Sequence, residues 1–89
     1  MKCLKIHIYG RVQHIGFRFT AMQVAYQRGI RGYIQNQKDG SLIIEAEGEE
    51  EKLQEFVEWC KRGPVWAKVN NITVEETEPK NYTSFEILH

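Results

Sequence analysis

Leu4-Lys5-Ile6-His7-Ile8-Tyr9-Gly10-Arg11-Val12-Gln13-His14-Ile15-Gly16-Phe17-Arg18 is the stretch whose reading decides the fold. Leu4, Ile6 and Ile8 alternate with Lys5, His7 and Tyr9, the period of a strand with one buried face. From Phe17 the period changes. Phe17, Ala21, Val24 and Ala25 fall at i, i+4, i+7 and i+8, one stripe of an amphipathic helix. Between them runs a loop with glycines at positions 10 and 16. Its backbone N–H groups lie next to a helix N-terminus, which is a natural anion site. Arg18 ends the loop and carries a planar fork suited to a phosphate.

Working outward, Gly29 follows the helical stripe where a C-terminal glycine belongs. Arg31 to Gln37 reads as a second strand, Lys38-Asp39-Gly40 as a turn, and Ser41 to Glu47 as a third strand, so that the two strands form a hairpin. Leu53, Phe56, Val57 and Cys60 mark a second helix. Glu49, Glu50 and Glu51 favour its N-terminal end, Lys61 and Arg62 its C-terminal end, and Gly63-Pro64 stops it. Val69 to Glu76 is a fourth strand, irregular at Asn70-Asn71. Glu78 to Thr83 is a loop, and Ser84 to Leu88 is a short last strand.

The order β-α-β-β-α-β plus a short fifth strand predicts an α+β, ferredoxin-like sandwich: an antiparallel sheet with both helices on one face. The helices should cover Leu4, Ile6, Ile8, Ile34, Leu42 and Ile44. The other face should show Lys5, His7, Tyr9, Tyr33, Gln35, Ile43 and Glu45 to water, with Cys3 partly exposed beside them. The crossover through the first helix makes strands one and two point the same way. The loop after strand one and Asn36 at the end of strand two therefore reach the same edge of the sheet.

With 89 residues, one domain spanning 1–89 is expected. Lysine plus arginine equal aspartate plus glutamate at 12 each, which argues against a general nucleic-acid binder. No apolar run approaches the roughly 20 residues that span a bilayer, and no signal peptide is read at the N-terminus. Two cysteines make no disulfide framework. A cytoplasmic monomer without membrane or nucleic-acid partners is the expectation. His7, His14 and His89 have no metal-ligand spacing, so neither a metal nor a cofactor is expected.

The loop Gly10 to Arg18 resembles the signature of the acylphosphatase family, G-x-V-Q-G-V-x-F-R. It matches at Gly10, Val12, Gln13, Phe17 and Arg18, with Ile15 a mild substitution. Gly32-Tyr33-Ile34-Gln35-Asn36, followed by Asp39-Gly40, is similar to the family's second motif, and the likeness covers nearly the whole chain. The resemblance implies hydrolysis of the carboxyl–phosphate bond of acyl phosphates, releasing inorganic phosphate, without metal or covalent intermediate. Carried over by position, Arg18 holds the phosphate and Asn36 orients the attacking water. The cradle runs through Val12, Gln13, His14, Ile15, Gly16, Phe17 and Arg18.

His14 departs from the family pattern, which has glycine there. Three readings stay open: a strained loop if the position requires positive φ, an imidazole lying over the phosphate, or a side chain pointing to solvent. The rival to an active hydrolase is an impaired module of the same fold that binds phosphate or a partner protein. Tyr9 and Tyr33 on the wet face are similar to the aromatic platform of sheet-based RNA readers, but no RNA-binding motif accompanies them.

Overall fold

A computed structural model describes all 89 residues. The elements follow the expected order: β1 (Lys2–Arg11), α1 (Phe17–Gln27), β2 (Arg31–Asn36), β3 (Leu42–Gly48), α2 (Glu50–Arg62), β4 (Lys68–Thr77) and β5 (Phe85–Leu88). They form one five-stranded sheet in the order β4-β1-β3-β2-β5. The first four strands pair antiparallel, while β5 adds to β2 in parallel, with Gly32 opposite Phe85 and Ile34 opposite Ile87. The last strand is thus parallel because it returns from the far edge strand across the whole sheet.

Both helices lie on the face that carries Ile6, Ile8, Ile34, Leu42 and Ile44. These residues form a single buried cluster with Phe17, Ala21 and Ala25 of α1 and Leu53, Phe56 and Cys60 of α2. Burial of this apolar surface is the main force holding the layers together, at roughly 25 cal/mol per Å² removed from water. Helix α1 ends as its sequence requires. Gly29 N–H donates to Tyr26 O and Ile30 N–H to Ala25 O, which satisfies the last carbonyls.

The anticipated irregularity in β4 is a bulge. Tyr9 pairs with Asn71 and Gly10 with Val69, which leaves Asn70 unmatched. Gly10 has φ +133°, and a Cβ there would sit 2.1 Å from Lys68 O, so only glycine lets β1 turn into the loop at this point.

The far face corrects one expectation. Its alternation was read correctly, but part of it is covered. The segment 78–84, on its way from β4 to β5, crosses it. Lys80 Nζ pairs with Glu45 Oε1 at 3.0 Å, and Tyr82 O–H donates to the same oxygen at 2.6 Å. The N–H groups of Lys80 and Asn81 donate to Glu47 Oε1 at 2.8 and 3.1 Å. Glu45 is therefore only 8 % exposed and Glu47 5 %, and Cys3, expected to be partly exposed, is fully buried on the same face. Period-2 alternation assigns a residue to a face, but it does not say whether a distant segment will later lie on that face. The two carboxylates tolerate this burial because Glu45 is paired with Lys80 and Glu47 accepts backbone N–H donors. Burial pushes Glu45 up, but the Tyr82 and Lys80 hydrogen bonds and the Lys80 charge outweigh it and leave its carboxyl below the ordinary range.

Candidate active site

β1 and β2 both run antiparallel to the intervening β3, so they point the same way and end at the same edge. The loop leaving β1 and the last residue of β2 meet there. Val12, His14, Gly16, Phe17, Arg18, Phe19 and Asn36 line one concavity of about 100 Å³.

The loop is built by anchoring alternate side chains. Val12 and Phe17 are buried in the core, and Ile15 packs against it. Gly16, at the N-cap of α1, has φ 81°, and no side chain caps the helix. The first helical bond is Thr20 N–H to Gly16 O. The N–H groups of Phe17, Arg18 and Phe19 therefore have no acceptor within the helix, and no acidic side chain lies in the first turn. A helix N-terminus in this state attracts anions. The five ion pairs of the structure engage Lys2, Arg28, Lys61 and Lys80, so Arg18 has no carboxylate to neutralise it.

Asn36 adds a different group. Its Oδ1 is buried and accepts no hydrogen bond from the protein. Such an orphan is uncommon in folded proteins and points to a role outside the fold's own hydrogen-bonding. The concavity thus combines a fixed cation, unpaired N–H donors and one carboxamide acceptor. That set can hold an oxyanion and orient a water beside it.

The structure divides the anticipated cradle. Val12, His14, Gly16, Phe17, Arg18 and Asn36 come together around the concavity, while Ile15 and Gln13 do not line it. Gln13 turns the other way: its Nε2 donates to Gln37 O at 2.8 Å and to Ser41 O at 2.9 Å. One carboxamide thereby ties the loop to the hairpin that carries Asn36. Ser41 is the hub on the hairpin side. Its hydroxyl donates to Asp39 Oδ1, since a carboxylate only accepts. His7 Nε2–H must then donate to Ser41 Oγ, at 2.7 Å, and the Tyr9 hydroxyl donates to His7 Nδ1 at 2.9 Å. The Ser41 hydroxyl and N–H hold the Asp39 carboxyl below its usual range. This brace behind the site was not read from the sequence, where Gln13 counted only as part of the loop.

Phe19 was also missed, although a signal existed. Two residues advance a helix by about 200°, which puts Phe19 off the Phe17–Ala21–Ala25 stripe. The available signal was its place next to Arg18 at the mouth of the loop, off the buried stripe.

His14 has φ 64° and is exposed. Histidine thus holds left-handed backbone at this position and is itself one of the residues that line the concavity. No His/Cys/Asp/Glu group of three or more is placed to hold a metal. Cys3 is no nucleophile: burial pushes its thiol up. Tyr9 stacks on His7 at 4.2 Å and Tyr33 meets Tyr82 edge-on at 6.3 Å, so neither ring lies free as a platform for bases.

Taken together, fold and site define a small two-layer ferredoxin-like sandwich with an arginine, free N–H groups and a carboxamide gathered at one sheet edge. Comparison with known proteins narrows this. The acylphosphatase family model matches residues 4–87. The chain is 46 % identical over 89 residues to an acylphosphatase of Thermotoga maritima, covering 100 % of this chain and 99 % of the relative. It is 42 % identical over 89 residues to one of Archaeoglobus fulgidus, covering all of both. The crystal structure of acylphosphatase from Bacillus subtilis superposes with a TM-score of 0.97 at 38 % identity, over 100 % of each chain. The chain belongs to the acylphosphatase family.

Proposed function

We propose that this chain hydrolyses the carboxyl–phosphate bond of acyl phosphates to a carboxylate and inorganic phosphate, with Arg18 and Asn36 as its catalytic residues. The observation that carries the reading is the meeting of three things in one concavity. They are an arginine without a carboxylate partner, an uncapped helix N-terminus and a buried carboxamide oxygen without a donor.

The chemistry needs little more. An acyl phosphate is a mixed anhydride whose leaving group is a stable carboxylate, so the departing oxygen needs no proton. What remains is to hold the phosphoryl group, stabilise its equatorial oxygens and place a water in line. Arg18 grips two phosphoryl oxygens with its fork, and the N–H groups at the start of α1 donate to the third. Asn36 Oδ1 accepts a hydrogen bond from the attacking water and turns the water's lone pair toward phosphorus. A carboxamide is no general base, so its contribution is orientation.

Residues 1–89 act as one domain in this reading, since a single core joins both helices to the sheet. A monomer in the cytoplasm fits two buried, unpaired cysteines, which belong to a reducing compartment. No helix is long and apolar enough to cross a membrane.

The test is steady-state hydrolysis of benzoyl phosphate by three proteins. Arg18→Ala loses roughly 10²- to 10³-fold or more in kcat/KM, the scale of removing a preorganised oxyanion donor, and Arg18→Lys recovers little, because a point charge cannot hold two oxygens in a plane. Asn36→Ala loses kcat while inhibition by inorganic phosphate stays near that of the wild type. Near-normal turnover of Arg18→Ala rejects the assignment.

A further inference from the structure

Phe19 is 66 % exposed and lines the concavity together with Arg18 and Asn36. The core does not need it, since α1 packs through Phe17, Ala21 and Ala25. That sets an apolar ring at the mouth of a site otherwise made of a cation and free amides, where a bound apolar group can cover it.

The substrate's own geometry says what that is. An acyl phosphate has two halves joined through one oxygen. When the phosphoryl half sits in the cradle, the acyl carbon lies one bridging oxygen away, and its substituent must leave over the rim. Of the lining residues, Val12, Phe17 and Phe19 are apolar, and Arg18 is the one permanent charge, already engaged by phosphate. No second cation lines the concavity to neutralise a charged acyl group.

We propose that Phe19 is a specificity-determining residue that walls an acyl-group subsite, and that the preferred substrates carry an uncharged, apolar acyl group of aromatic or branched aliphatic type. This rests on the hydrolase reading above. The ring covers the acyl substituent on the rim while the phosphoryl half is held as in any acyl phosphate, so its effect falls on substrate choice and not on phosphate binding.

The experiment compares kcat/KM for benzoyl phosphate and acetyl phosphate in the wild type, Phe19→Ala and Phe19→Leu, with inhibition by inorganic phosphate measured alongside. Phe19→Ala is expected to lose roughly 3- to 10-fold on benzoyl phosphate, the range of one aromatic contact, and less than about two-fold on acetyl phosphate, where only a methyl group reaches the rim. Phe19→Leu falls between, and the phosphate inhibition constant does not move. Thermal melts accompany each protein, and a side chain this exposed leaves the fold intact when shortened. Equal losses on both substrates, or an unchanged preference, overturn the subsite while leaving the hydrolase reading in place. Failure of the wild type to hydrolyse either compound overturns the hydrolase reading, and the subsite with it.

Discussion

Replacing His14 by glycine separates what the loop backbone does from what the imidazole does. At φ 64° the residue sits in left-handed backbone, where a Cβ costs about 1–2 kcal/mol and glycine nothing. Glycine pays back part of that gain, because it loses about 0.5–1 kcal/mol more chain entropy on folding. The difference leaves His14→Gly more stable by roughly 0–1.5 kcal/mol, since histidine tolerates this region better than most side chains. For a domain of this size 1 kcal/mol moves Tm by about 4–8 °C, so a rise from nothing to several degrees is expected in a thermal melt. His14→Val, branched at Cβ, must fall below the wild type at the same position. Activity is expected to change by less than about two-fold on the same substitution. The loop already holds its conformation with histidine in place, and the exposed imidazole has no partner in the fold. A drop in Tm on His14→Gly would mean that the backbone at this residue is not left-handed in solution. A fall in kcat/KM confined to the acid side, present only when histidine is replaced, would refute the other half of the reasoning and make the imidazole a charge donor to the substrate.

Gln13→Met keeps the shape and removes both donors to Gln37 O and Ser41 O. It should cost about 2 kcal/mol of stability, near 1 for each bond, and lower kcat roughly 10-fold as cradle and Asn36 lose register, with phosphate inhibition nearly unchanged; full kcat with only a lower Tm would reduce Gln13 to a structural tie. Glu45 predicts an acid limb in stability. Its folded carboxyl titrates below the ordinary range, so the unfolded chain takes up its proton first; the stabilisation is complete above about pH 4.3, the unperturbed glutamate value, and is lost as pH falls through the lower folded value. Urea unfolding of Glu45→Gln should be weaker than the wild type by about 1–3 kcal/mol at neutral pH and should decline less steeply in acid. Parallel curves for the two proteins would clear Glu45 of that role.

The elements were legible because each has a clean period. Ile6 and Ile8 in β1, and Leu53, Phe56 and Cys60 in α2, face the core that their spacing assigns them. The meeting of Arg18 and Asn36 was legible one step later, from connectivity: a crossover through a helix makes β1 and β2 point the same way, and strands that point the same way end at the same edge. The cover on the far face could not be read in the same way. Glu45 and Glu47 look like solvent-facing strand residues in any local window, and their partners Lys80, Asn81 and Tyr82 lie more than thirty residues on.

Gln13 illustrates the same boundary within the site. Its place in the loop is visible in the chain, but its task depends on two carbonyls of a hairpin that pattern alone cannot bring to within hydrogen-bond distance. Local pattern decides which face a side chain takes, and topology decides which loops meet. The angle at which they meet is set by hydrogen bonds that cross between them. In this protein Arg18 comes from the start of α1 and Asn36 from the end of β2, so their separation depends on how loop and hairpin are joined. Gln13 makes that join with a single nitrogen donating to both Gln37 and Ser41, and Ser41 is in turn held by Asp39 and His7. The geometry of the concavity is therefore held by residues that never touch it. A search confined to the lining of the site would not find them, and substitutions at His7 or Ser41 should act on kcat through Asn36 before they act on phosphate binding.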